Sequence, residues 1–157
     1  MGRKEGKGMK FVGYAVRIRT NGNVRITMVE KERSVDSEEA VPGSALAEAL
    51  GTRTETLFRS SATRLPIEGM NMMMVYDSFG ELRGKGENEL AEKLCANGAE
   101  IYGDVLLLPM IATEDNPYTL ISMPLEVADT VSLVCDACQY ALDNDIFDTL
   151  FRKDATE

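Results

Sequence analysis

The sequence predicts a single α+β domain: an N-terminal β-hairpin and a mixed or mainly antiparallel sheet, packed by short helices and a long C-terminal helix. Three observations carry that prediction. Two period-2 runs meet at Asn21-Gly22. A continuous apolar run, Val105-Leu106-Leu107-Leu108, has the length and composition of a buried strand. From Leu125 onward the apolar residues recur at helical spacing.

The elements follow in order. Residues 1–9 are rich in Gly and Lys and are expected to form a disordered basic tail ahead of one domain over 10–157. Tyr14, Val16 and Ile18 alternate with Ala15, Arg17 and Arg19; after Thr20-Asn21-Gly22-Asn23, Val24, Ile26 and Met28 alternate with Arg25 and Thr27. Asn and Gly tolerate the positive φ of a tight hairpin turn, so this segment is read as a hairpin. One face is apolar and core-directed. The other places Arg17, Arg19 and Arg25 together on a solvent face.

Residues 31–41 read as a polar connection. A short helix follows, capped at Ser44 and stopped at Gly51. Residues 54–59 suit a strand, and 70–76 suit one better, with Met70, Met72 and Met74 on one side and Met73 and Val75 on the other. The Met run is most simply core, with an adaptable contact surface as its alternative. A turn at Asp77–Gly80, a return strand near Glu81–Arg83 and a helix from Glu87 to Asn97 come next. The buried strand spans Asp104 to Ile111, and a short strand falls within 118–123. Pro124 sits where the first turn of a helix over 125–151 begins, with Asn144 as its break point. The sheet is expected to be covered on one face.

Composition narrows the function. A chain of 157 residues with 44% hydrophobic and 27% charged residues is large enough to build a core without disulfides. It contains no apolar run of the ~20 residues that span a bilayer, and its first ten residues lack a signal-peptide h-region. Three cysteines, an odd number, suit a reducing compartment, and the expectation is a cytoplasmic protein. Cys135 and Cys138 form a lone CxxC in mid-helix. With no His and only Cys95 in addition, they lack a zinc ligand set and read as buried thiols.

The absence of His removes Ser-His-Asp, Cys-His and His-zinc machinery. Carboxylates are so plentiful that chance pairs are expected without catalytic meaning. The stretch Leu82–Asn88 resembles a phosphate-cradling glycine loop but lacks the GxxxxGK[ST] spacing, so Gly84 and Gly86 read as turn residues. The expectation is therefore no enzyme, no cofactor and no metal.

Charge is the remaining signal. Residues 1–34 carry nine Lys/Arg against three acids, a net of +6, while residues 35–157 carry a net of −15. Two readings follow. Asp129, Asp136, Asp143, Asp145 and Asp148 present carboxylates to a basic protein surface, or Arg17, Arg19 and Arg25 engage nucleic acid or another anion. A net charge of −9 disfavours the second by long-range repulsion of phosphates.

The order of motifs also resembles a known family. An opening hairpin, a short helix ending in Gly, the strand and turn of residues 72–84, the Asn88 helix and Ile101-Tyr102-Gly103-Asp104 with its apolar strand are similar to small uncharacterised proteins encoded by phages, plasmids and other bacterial mobile elements. The resemblance covers residues 11–111; the Met run and the added C-terminal helix depart from it. It implies a mobile-element protein without an established activity. Small acidic proteins of that origin are often inhibitors of host defence nucleases. The expectation from charge and resemblance together is a non-catalytic inhibitor or regulator, anti-CRISPR-like in its anti-defence role. It would bind a basic protein surface, such as that of a nucleic-acid-binding host protein.

Overall fold

The computed structural model of the chain describes residues 9–52 and 58–150. The tail over 1–8, the start of the strand expected from 54 and the end of the helix expected at 151 lie outside the described residues. Among the described residues, six strands form one antiparallel sheet. They are β1 (Lys10–Ile18), β2 (Val24–Ser34), β3 (Phe58–Ala62), β4 (Met72–Asp77), β5 (Val105–Ile111) and β6 (Thr119–Leu120). The order is β2-β1-β5-β4-β3, with β6 on the far end of β5. The helices are α1 (Gly43–Leu50), α2 (Glu89–Leu94) and α3 (Leu125–Asp143), followed by a 3-10 turn over Phe147–Leu150.

The hairpin forms as its sequence requires. Gly22 adopts φ +88° in the turn, and Arg17 and Arg25 face each other across the strands. β2 continues to Ser34, into the stretch expected to be a polar connection. The buried Arg33 explains this extension. Its guanidinium donates to Glu30 at 2.8 Å and to the carbonyls of Ser37 and Glu39, so the polar sequence folds back on itself. At Gly13 the register shifts, and a Cβ there would lie 2.1 Å from Ser122 Oγ. This close approach lets residues 122–123 dock against β1, where Tyr14 and Met123 exchange backbone hydrogen bonds of 2.7 and 2.8 Å.

Both faces of the sheet are covered, not one. Val16, Ile18, Met72, Met74, Tyr76, Val105 and Leu107 point into the larger core beneath α2 and α3. Ala15, Val29, Val75, Leu106 and Leu108 point to the other side and bury Leu46 and Leu50 of α1. The alternation of the Met run holds, and Met72 and Met74 are core. The missed layer is explained by β5. An unbroken apolar strand must be shielded on both faces, because successive side chains alternate across the sheet.

Other boundaries move for local reasons. α1 has Pro42, not Ser44, at its N-cap and no side-chain cap, while Gly51 ends it in the left-handed conformation as expected. Residues 81–84 form turns instead of a return strand. α2 is shorter than its sequence pattern, ending at Leu94. α3 stops with Asn144 as its C-cap, and Leu125, expected on its core stripe, is 47% exposed.

One buried side chain joins three of these pieces. Asn88 is 1% exposed and caps α2 by accepting from Ala91 N at 3.1 Å. Its amide nitrogen donates to Ile18 O at 3.0 Å and Gly103 O at 2.9 Å, tying the end of β1 to the approach of β5. Replacing Asn88 by Ala removes the cap and orphans two buried carbonyls. We expect a loss of about 2–4 kcal/mol, read as a melting temperature lower by roughly 5–15 °C for a chain this size. Asn88→Asp keeps the cap but turns an acceptor toward both carbonyls, so it should be no more stable than Asn88→Ala near neutral pH. A melting curve for Asn88→Ala that overlays the parent would show that this amide does not hold the elements together.

Candidate protein-binding face and the fate of the arginine face

α3 lies across β1 and β2 with a buried stripe of Ala128, Val131, Cys135, Cys138 and Ala141. Its other side is open. Asp129, Asp136 and Asp143 are all exposed, and seven-residue spacing keeps them aligned, since two helical turns leave only ~20° of drift. Asp145 and Asp148, also exposed, continue the acidic run beyond the helix. α3 contains no Lys or Arg, and Glu126 adds a fourth exposed acid. All five aspartates expected at the site are therefore at the surface, and three of them share one helical stripe.

Two residues that sequence reasoning passed over lie within the same face. Leu133 is 68% exposed and Tyr140 is 66% exposed. They too are seven apart and lie between the aspartate stripe and Glu126 around the helix. Their signal was present in the heptad spacing, but the apolar count of the buried stripe concealed it.

Where α3 meets the hairpin turn, a cleft of about 410 Å³ is lined by Gly22, Asn23, Val24, Arg25, Asp136, Gln139, Tyr140 and Asp143. Gln139 donates to Asp143 at 2.9 Å, which fixes its amide along one wall. Arg25 borders the cleft from its strand. Because it pairs with Arg17 while Val24 and Ile26 pack toward α3, its side chain is set on the opposite face of the sheet.

The arginine trio does not form one free face. Arg17 is half-buried against α1, where its guanidinium ion-pairs with Asp104 at 2.7 Å and donates to Ala49 O at 2.7 Å. Asp104 also accepts from Thr20 N at 3.1 Å. Arg17 is thus a structural tie among β1, α1 and the start of β5. Arg19 and Arg25 are exposed. The expected solvent face fails because α1 lies on it.

The glycine loop at 82–88 leads into α2, a helix of six residues, and Asn88 fills its cap. Arg83 ion-pairs with the buried Asp77 at 2.9 Å. Glu81, Glu87 and Glu89 are exposed around the loop, and Glu92, through its charge and a hydrogen bond, raises the Glu87 carboxyl above its ordinary range. These carboxylates oppose an anion. Asp77 and Asp104, the most enclosed aspartates among the described residues, are each paired with an arginine.

Cys95, Cys135 and Cys138 are buried free thiols. Burial pushes Cys135 strongly upward, with Cys138 and Asp136 adding to it, and burial also raises Cys138 although Arg64 opposes the shift. Among the described residues no group of three or more metal-ligating side chains is arranged around a common point. No helix among them is long and apolar enough to cross a membrane. Comparison with protein-family models, with curated proteins and with solved structures finds no match.

Arg17→Ser should cost about 1–2 kcal/mol, reduced from the full value of a charged hydrogen bond because the side chain is partly solvated. Arg19→Ser and Arg25→Ser should leave the denaturation midpoint unchanged, and equal effects at all three positions would refute the distinction. A raised pKa leaves little thiolate, so Cys135 and Cys138 should label far more slowly at pH 8 in the native protein than after unfolding. Rapid native labelling, or stoichiometric zinc released together with the fold, would overturn the structural reading of these thiols.

Proposed function

We propose that this protein is a non-catalytic inhibitor or regulator that captures a basic protein surface through the acidic outer side of α3. The observation that carries the reading is the aligned, exposed set Asp129, Asp136 and Asp143 on a helix without a single Lys or Arg. Asp145 and Asp148 extend it. The net −15 of residues 35–157 adds long-range attraction for a cationic partner. The resemblance of residues 11–111 to proteins of bacterial mobile elements supplies the anti-defence context. It favours a nucleic-acid-binding host protein as the partner class, because such proteins carry extended cationic surfaces. The nucleic-acid reading is weaker, since Arg17 is engaged with Asp104 and only Arg19 and Arg25 of the trio stay exposed.

The test reverses the charge of the acids and neutralises that of the arginines. Asp143→Lys, Asp145→Lys and Asp148→Lys combined should weaken partner capture mainly through a slower on-rate. The effect should grow at low salt, because attraction is screened over ~8 Å at physiological ionic strength. Arg19→Ser with Arg25→Ser should leave capture unchanged, and the parent should not retard random duplex or single-stranded DNA at ~50 mM salt, where phosphate contacts are strongest. Retardation abolished by the arginine changes, with capture indifferent to the aspartate reversals, would replace this reading with the nucleic-acid module.

A further inference from the structure

The acids alone do not account for the outer face of α3. Leu133 and Tyr140 lie within it, each about two-thirds exposed at 68% and 66%. They place apolar area directly beside the carboxylates, between the aspartate stripe and Glu126. Neither residue contributes to either hydrophobic core. The nearest depression is the cleft of about 410 Å³ between the hairpin turn and α3, which has Tyr140, Asp136 and Asp143 on its rim. Apolar contact area, flanking negative charge and a recess are thus contiguous along one helix.

Resting on the function proposed above, we infer that this face docks a cationic amphipathic segment of the partner, and not a flat basic surface. Apolar side chains of that segment cover Leu133 and Tyr140. Its lysines or arginines flank them against Asp129, Asp136 and Asp143, and one such side chain enters the cleft beside the Tyr140 ring. Charge complementarity selects this occupant. A second copy of the chain would bring the same aspartates against themselves, and like charges across an interface oppose pairing. A helix laid on a helix offers its contacts at the same three- and four-residue spacing at which Leu133, Asp136, Tyr140 and Asp143 occur.

The probe is a labelled peptide of about 14 residues, long enough for roughly four turns, with leucines at i, i+3, i+4 and i+7 and lysines elsewhere. Its control is the same composition scrambled to abolish the apolar stripe. Fluorescence anisotropy at ~150 mM and ~500 mM salt separates charge from apolar contact, because screening weakens only the former. The amphipathic peptide should bind at least about tenfold tighter than the scrambled one, and Leu133→Ser with Tyr140→Ser should remove that advantage. Both side chains are exposed, so the melting curve of this variant should match the parent.

Equal binding of the two peptides, or an advantage that survives the double substitution, would overturn the inference. So would a dimer in solution that dissociates on Leu133→Ser. If the aspartate reversals weaken partner capture while the peptides bind alike, the proposed function stands and this docking mode falls. If the amphipathic peptide binds as described while capture ignores the reversals, the face is a docking site and the proposed function falls.

Discussion

A single buried amide sets the geometry of one end of this molecule. Asn88 has a donor group with two hydrogens and an acceptor oxygen, and every one of these is used within the fold. Its oxygen starts α2, and its nitrogen holds the last carbonyl of β1 and that of Gly103. The backbone N–H of the same residue donates to Ile101 O at 2.8 Å, and Glu92, one turn into α2, accepts from Ile101 N at 2.9 Å. Three segments far apart in sequence therefore meet at one residue. Neither Asp nor Gln can take its place unchanged: the first lacks the donor, and the second is one methylene too long to cap the helix while its amide reaches the same two carbonyls. Buried polar groups impose such demands because leaving one unpaired costs more than a made bond contributes.

That junction decides the fate of neighbouring charges. With Gly103 held, Asp104 is carried to the end of β1, where it meets Arg17 and the amide of Thr20. α1, lying over the same face, supplies the Ala49 carbonyl to the same guanidinium. An arginine that alternation alone would assign to solvent becomes part of the packing between a helix and the sheet. Arg19, two residues on, passes beyond the strand and stays exposed. The positive charge of the N-terminal segment is thus divided, while the negative charge of α3 remains exposed on one side of one element.

α3 is amphipathic in two senses. Its buried stripe uses small residues and thiols, Ala128, Cys135, Cys138 and Ala141, which let the helix approach the sheet closely. Its outer side combines four acids with three exposed large apolar groups, Leu125, Leu133 and Tyr140. Burial that holds the thiols protonated and the exposure that leaves Leu133 and Tyr140 in water are consequences of the same rotation of the helix about its axis. The CxxC pair is consequently part of the fold.

Much of the fold was written locally. Asn21-Gly22 fixed the hairpin, Gly51 ended α1, the alternation of Met72, Met73, Met74 and Val75 assigned faces, and Asn144 closed α3, because turn geometry, helix stops and side-chain period act over a few residues. The five aspartates were equally legible, since a charged side chain without a buried partner goes to the surface. Tertiary structure alone decided the rest. Whether Arg17 is free depends on α1 and Asp104, 32 and 87 positions away in its hydrogen bonds. The second covered face of the sheet depends on where α1 comes to rest. The exposure of Leu133 and Tyr140 depends on which side of α3 meets β1 and β2, and an apolar residue carries no local mark of whether another element will cover it.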